Sequence, residues 1–347
     1  MKVLAIADRF IPAREMAEGL GELEKLGWDV EVREWQHASL EELQKDNLAV
    51  ELHGPEAVTM PDDVFAGIEQ YEVLIVQFAP VSAKIIAAAS KLAVIGILRG
   101  GTENVAIAAA NERGISVLNT PGRNARAVAE FTLGLILAEV RNIARAHAAL
   151  KQAEWRKSFP NSDAIPELYG KTVGLIGYGN VGQLIAGFLT AMGCHILVYD
   201  EYIAQGPEPC QKVELNELLQ RADVVSLHLR LTEKTHHFIG APELALMKPN
   251  AVLINTARSG LIDEKALVSF LQAGRIAGAA LDVFDNEPLA ADDPLLQLDN
   301  VTITPHMAGS TRDAFTNSPK QMAGYLAAIV RGEEKLPIVN RLQPRLP

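Results

Sequence analysis

Short apolar runs alternate with stretches of helical periodicity along the whole chain, the pattern of α/β units built on parallel sheets. The runs fall into two sets. The first comprises Val3 to Asp8, Val30 to Trp35, Val73 to Phe78, Leu92 to Leu98 and Ile115 to Asn119, with helical segments such as Glu15 to Leu26 between them. The second comprises Val173 to Ile176, His195 to Asp200, Asp223 to Leu229, Ala251 to Ala257, Ala277 to Val283 and Val301 to Thr304. The first set predicts a small doubly wound unit; the six runs of the second match the strand count of a full dinucleotide-binding fold. Between the sets, Ala125 to Leu150 is predicted as one long helix, with Arg141, Arg145 and Lys151 towards its end. Its apolar positions Val128, Phe131, Leu133, Leu135, Ile136 and Leu137 wrap more than one face, so it needs cover all round, from its own sheet and a partner subunit or from its own chain alone. A last helix is predicted from Arg312 to Val330, returning to the first unit, with a short tail from Gly332.

Length and charge narrow the picture. At 347 residues the chain exceeds what one core serves, and roughly 150 residues per domain predicts two domains with a cleft. With 48% hydrophobic, 22% charged and 5% aromatic residues, it has the composition of a globular enzyme. A net charge of -11 argues against nucleic acid or an anionic membrane as partner, since polyanions are bound by surplus Lys and Arg. Cys194 and Cys210 have neither disulfide-framework nor metal-knuckle spacing and read as reduced bystanders. The start, Met1 to Asp8, reads as a strand rather than a signal peptide, and no charge-free apolar run approaches the ~18 residues of a membrane span. The expected location is the cytoplasm.

The strand Val173 to Ile176 runs into Gly177-Tyr178-Gly179-Asn180-Val181-Gly182 and then a helical run, which is GxGxxG in its proper setting. Gly177 allows the tight turn, Gly179 lets backbone approach a pyrophosphate, and Gly182 lets the helix pack against the strand. The next strand ends at Asp200, where a carboxylate accepts ribose hydroxyls and repels a 2'-phosphate, so NAD is expected over NADP. His228 and Arg230 follow the strand after that, and His236 and His237 lie in a polar loop and are assigned no metal.

Oxidising a hydroxy acid needs a base for the hydroxyl proton, a cation for the carboxylate and a cofactor face, all beyond the carboxyl ends of the strands. Arg258 ends one strand and offers a planar guanidinium to a carboxylate. Glu287 and His306 follow the next two strands. His306 is the expected acid/base, because imidazole cycles a proton near neutral pH, with Glu287 orienting it.

The ordered blocks GYGNVG with Asp200, NTARSGLIDEKAL (Asn255 to Leu267), ALDVFDNEP (Ala280 to Pro288) and TPHMAGST (Thr304 to Thr311) resemble the D-isomer-specific 2-hydroxyacid dehydrogenases, including the phosphoglycerate dehydrogenases. The resemblance implies a Rossmann NAD-binding domain, residues 119–309, inserted into a flavodoxin-like substrate domain, residues 1–118 and 310–347. It implies catalysis by Arg258, Glu287 and His306, with crossings near Leu118 and Gly309 as hinges whose closure excludes water. It also implies NAD contacts from Asn180, Val181, Asp200, His228, Thr256, Ala257, Arg258, Asp282, His306, Ala308 and Gly309 beside the glycine turn, and a homodimer built around the cofactor domains. Gly100, Gly101 and Asn104 stand where the family meets the substrate carboxylate.

Departures from the family pattern leave the substrate open. Arg230 stands where the family has Pro, and Gln77-Phe78-Ala79-Pro80 lacks the basic residue that phosphoglycerate enzymes carry there. Arg99, Arg123 and Arg126 are candidates to restore an anion site, and Gln77, Asn104 and Arg123 are candidates to contact a sugar acid. A formate or phosphite dehydrogenase relative, and a non-catalytic NAD-sensing scaffold of the corepressor kind, are the rival classes.

Overall fold

A computed structural model describes every residue except positions 163, 165, 166, 207, 334, 335, 345 and 347. The chain divides into two compact units, Met1–Asn124 with Thr311–Pro347 and Ala125–Ser310. In the first, β1 (Lys2–Ala7), α1 (Ala13–Lys25), β2 (Asp29–Glu34), α2 (Leu40–His53), β3 (Val73–Val76), α3 (Ala83–Ala88), β4 (Val94–Ile97), α4 (Ile107–Glu112) and β5 (Ser116–Asn119) follow in order. The five strands pair in parallel as β2-β1-β3-β4-β5, the flavodoxin-like order. All five expected runs are strands. Leu4, Ile6, Leu74, Val76 and Ile95 fill one face of this sheet, while Val3, Ala5, Val73 and Ile75 fill the other.

The second unit holds α5 (Ala125–Val140), α6 (Ile143–Lys151), β6 (Thr172–Ile176), α7 (Asn180–Ala191), β7 (His195–Tyr199), β8 (Gln211–Lys212), α8 (Leu215–Arg221), β9 (Val224–Leu227), α9 (Ala241–Leu244), β10 (Val252–Asn255), α10 (Glu264–Gln272), β11 (Gly278–Leu281) and β12 (Val301–Ile303). Its parallel sheet runs β8-β7-β6-β9-β10-β11-β12, the doubly wound dinucleotide order with a seventh strand added. The extra strand beyond the six expected is β8, two residues at the edge, too short to leave a periodic signature.

The long helix expected from Ala125 to Leu150 is two helices. Asn142 adopts a left-handed φ of 54°, and Arg145 folds back on the Glu139 carboxylate across that break. Apolar periodicity continues through the break, which is why the sequence read as continuous.

After the second unit, α11 (Arg312–Val330) rejoins the first, packing on α1 where Gly19 leaves room for Pro319. Proline deletes the amide that would bond the Phe315 carbonyl, and the Ser318 hydroxyl takes that carbonyl at 2.6 Å instead. Both cysteines are free and buried. No helix among the described residues is long and apolar enough to cross a membrane, and no cluster of three or more His, Cys, Asp or Glu there could hold a metal.

Candidate active site

Two glycines of the turn between β6 and α7 answer a steric demand. Gly177 takes φ 100°, closed to other residues, and a Cβ there would meet the His228 carbonyl at 2.7 Å. A Cβ at Gly182 would lie 2.3 Å from the Gly177 carbonyl oxygen, so glycine alone lets α7 start this close to the strand. A Cβ at Gly179 would meet open space. The N–H groups of Asn180, Val181 and Gly182 donate to nothing among the described residues, leaving the positive end of a twelve-residue helix available to a pyrophosphate. The turn therefore fits a dinucleotide.

Asp200 sits at the end of β7, its Oδ2 accepting the Tyr178 N–H at 2.7 Å and its Oδ1 the Tyr202 N–H at 2.8 Å. It ties the phosphate turn to the strand end and keeps spare lone pairs for hydroxyls. His228 is half-buried beyond β9, its Nε2 3.0 Å from the Ser226 hydroxyl, and burial pushes its imidazole down to about 4, so it is neutral at pH 7. Arg230 is exposed.

Three further strand ends of the same sheet carry the residues expected to act on substrate. After β10, the Asn255 side chain brackets the turn, accepting the Ala257 N–H at 3.0 Å and donating to the Arg258 carbonyl at 2.9 Å. The Thr256 hydroxyl is fixed by the buried Thr132 hydroxyl at 2.7 Å. Arg258 is exposed, gives one N–H to the Ala257 carbonyl, and has no carboxylate partner among the described residues. After β11, Glu287 Oε1 accepts the Phe284 N–H at 3.0 Å, which aims its other oxygen at His306. His306 Nδ1 lies 2.7 Å from Glu287 Oε2, with the two side chains 48% and 34% exposed. Nδ1–H donation to the carboxylate leaves Nε2 free and facing solvent for proton transfer.

His306 has φ 49°, a left-handed conformation that an imidazole adopts at a cost. The residue that holds it is Asp282. Asp282 Oδ1 accepts the Thr304 hydroxyl at 2.6 Å and the Met307 N–H at 3.0 Å, and Oδ2 accepts the Ala308 N–H at 2.8 Å. Asp282 and Ala308, both expected to touch NAD, are buried, and their mutual bond helps to hold the turn that carries His306. Gly309 is half-buried beside them.

In the first unit, the N–H groups of Gly100 and Gly101 donate to nothing among the described residues, as a carboxylate-receiving loop requires. Asn119 Nδ2 holds the Gly100 carbonyl at 2.7 Å, and Thr120 N–H the Arg99 carbonyl at 3.2 Å. Asn104, expected to meet substrate, is buried; its Nδ2 donates to the Gln77 and Ala79 carbonyls at 3.2 Å each, and its Oδ1 has no partner among the described residues. Gln77 is buried as well, with both carboxamide atoms lacking a partner. Arg126 belongs to the second unit and pairs with Glu130 at 2.7 Å. Thr132, Asn255 and the positioning role of Asp282 escaped the sequence reading; only the polar character of the blocks around them pointed that way.

Residues 133–308 match the family model described as D-isomer specific 2-hydroxyacid dehydrogenase, NAD binding domain. A D-3-phosphoglycerate dehydrogenase of Methanocaldococcus jannaschii is 44% identical over 82% of this chain and 54% of its own length, so the chain spans about half of that relative. A hydroxypyruvate reductase of Thermotoga maritima is 42% identical over 73% of this chain and 83% of its own. Among solved structures, the D-isomer specific 2-hydroxyacid dehydrogenase of Lactobacillus delbrueckii ssp. bulgaricus in its NAD-complexed form aligns with a TM-score of 0.76 at 25% identity, covering 98% of this chain and 100% of that one.

Proposed function

Because the chain belongs to the D-isomer specific 2-hydroxyacid dehydrogenases, NAD-binding oxidoreductases, we propose that it interconverts a D-2-hydroxy acid and its 2-keto acid. Bound NAD supplies the hydride acceptor or donor. His306 Nε2 takes the C2 hydroxyl proton during oxidation and returns it to the keto oxygen during reduction. Glu287 keeps the proton on Nδ1 and stabilises the imidazolium that forms. Arg258 holds the carboxylate through its planar fork, and the Gly100 and Gly101 N–H groups give it a second set of donors. The observation that carries this reading is the 2.7 Å contact of His306 with Glu287, with Nε2 left free. Two free cysteines and an NAD-dependent reaction suit the cytoplasm.

The test is a panel of 2-keto acids, phosphorylated and not, followed by loss of NADH absorbance. Turnover of none of them would refute the reading. Arg258→Gln should lower kcat/KM by about 100-fold on every substrate, mostly through KM, because a charge-assisted bidentate pair is lost. D-3-phosphoglycerate is the second reading, favoured by the 44% identity to the Methanocaldococcus jannaschii enzyme, and a phosphorylated keto acid in the panel decides it.

A homodimer is also proposed. Ile143, Leu150, Trp155 and Tyr169, all of the second unit, expose large apolar surface, which a second copy of the chain would cover. Sedimentation should give twice the chain mass, and Trp155→Glu should shift the equilibrium towards monomer; a monomeric wild type overturns this.

A further inference from the structure

At the carboxyl edge of the first unit's sheet, five side chains from separate segments stack in one row. The Arg123 guanidinium lies 4.6 Å from the Phe315 ring centre, Phe315 stacks on Phe10 at 4.6 Å, Phe10 meets Phe78 edge-on at 5.5 Å, and the Arg99 guanidinium lies 5.3 Å from Phe78. The two ends differ. Arg99 is bonded to Asn47 Oδ1 at 2.9 Å, to Glu51, and to Glu103 at 3.3 Å, so its charge is already matched. Arg123 gives a single N–H to the Ala314 carbonyl at 3.1 Å, and no carboxylate among the described residues forms an ion pair with it. Asp8, the nearby acid, turns its Oδ1 to the Phe10 and Ile11 N–H groups at 2.8 and 3.0 Å instead.

A half-buried, unmatched cation is costly unless an anion answers it. Burial, with Arg99 adding to it, pulls the Arg123 guanidinium down to about 10, while burial pushes Asp8 up to about 6. The ring beneath Arg123 and the carbonyl beside it fix the fork's orientation before any ligand arrives, which lowers the ordering cost of binding. This row shares its sheet edge with the Gly100 and Gly101 loop, since Asn119 and Thr120, just ahead of Arg123 in the chain, hold that loop's carbonyls.

We propose that Arg123 receives the second carboxylate of a substrate whose first carboxylate meets the Gly100 and Gly101 N–H groups of the same unit, making this chain selective for 2-keto dicarboxylic acids; the proposal rests on the 2-keto acid reading above. One planar guanidinium matches one carboxylate. A phosphate dianion calls for more positive charge than remains here, because Glu51 and Glu103 neutralise Arg99, and Gln77 is neutral and buried.

The experiment compares 2-oxoglutarate with 2-oxopentanoate, which carries a methyl in place of the far carboxylate, in wild type and Arg123→Gln. Both are assayed by NADH loss, and their binding to the NAD-saturated protein is measured by calorimetry. Wild type should favour the dicarboxylate, and Arg123→Gln should cut that preference by about 10- to 100-fold, the range of a charge-assisted contact. If Arg123→Gln unfolds early, Arg123→Lys, which keeps the charge without the fork, should retain part of the preference. A wild type without preference, or a preference indifferent to Arg123, overturns the proposal. So does a loss confined to 3-phosphohydroxypyruvate, which would reassign Arg123 to phosphate. Calorimetry needs no turnover: dicarboxylate binding that depends on Arg123 without NADH oxidation would leave this site standing and refute the hydride-transfer reading.

Discussion

His306→Asn should lower kcat by about 10²- to 10⁴-fold while NAD binding stays within a few-fold of wild type. Asparagine is the informative replacement, because residue 306 has φ 49° and asparagine tolerates that left-handed conformation, so the turn anchored by Asp282 survives. The loss then reports on the missing proton carrier rather than on a collapsed loop. Glu287→Gln should cost less: a carboxamide oxygen still accepts from His306 Nδ1, but the charge that steadies the imidazolium is gone. Single-turnover NADH absorbance and a fluorescence titration of NADH separate the two quantities. A kcat for His306→Asn within ten-fold of wild type would remove the imidazole from the chemistry; equal losses in kcat and NAD affinity would indicate that the turn itself had failed.

Much of this site is legible without coordinates, for identifiable reasons. The strands are apolar runs, and catalytic residues of a parallel sheet follow its carboxyl ends, so Arg258, Glu287 and His306 become candidates from residue type and the position of three runs. The glycine turn is legible because Gly177 and Gly182 meet different steric demands while Gly179 leaves the helix end open. What the sequence leaves open is direction. Asp282 and Glu287 are both acids in a loop after β11, and nothing local says that one turns inwards to hold a turn while the other turns out to meet an imidazole. Asn104 has the same ambiguity and resolves inwards. The row from Arg123 to Arg99 joins segments from four loops and a helix start, and Arg99, Arg123 and Arg126 look alike until their partners are known. The break at Asn142 is hidden for a related reason, since the Arg145 to Glu139 bonds that span it leave no mark on apolar periodicity.

That carboxylate carries the largest stability effect expected here. Glu139 is fully buried in the second unit, bonded to Arg145 Nη2 at 2.7 and 2.9 Å, to the Asn161 amide at 2.9 Å and to the Thr302 hydroxyl at 2.7 Å. A Cβ at Gly278 would lie 2.2 Å from its Oε1, so glycine in β11 is what admits it. The group ties α5 and the start of α6 to β11 and to β12, the strand that leads to His306. Removing one partner of a buried ion pair strands the other, so Glu139→Ala should cost about 3–5 kcal/mol. For a unit of this size that lowers by about 10 °C the melting transition that NAD raises. Burial pushes the Glu139 carboxyl above its ordinary value, against the lowering pull of Arg145 and Thr302. A folded value above the unfolded one means the native state holds its proton to higher pH, so this group's contribution is greatest in acid and declines as pH rises through the folded value. Glu139→Gln, which cannot ionise, should therefore show a deficit against wild type that shrinks as pH rises. A Glu139→Ala protein melting within 2 °C of wild type, or a Glu139→Gln deficit that grows with pH, would show that these four bonds do not hold the unit together.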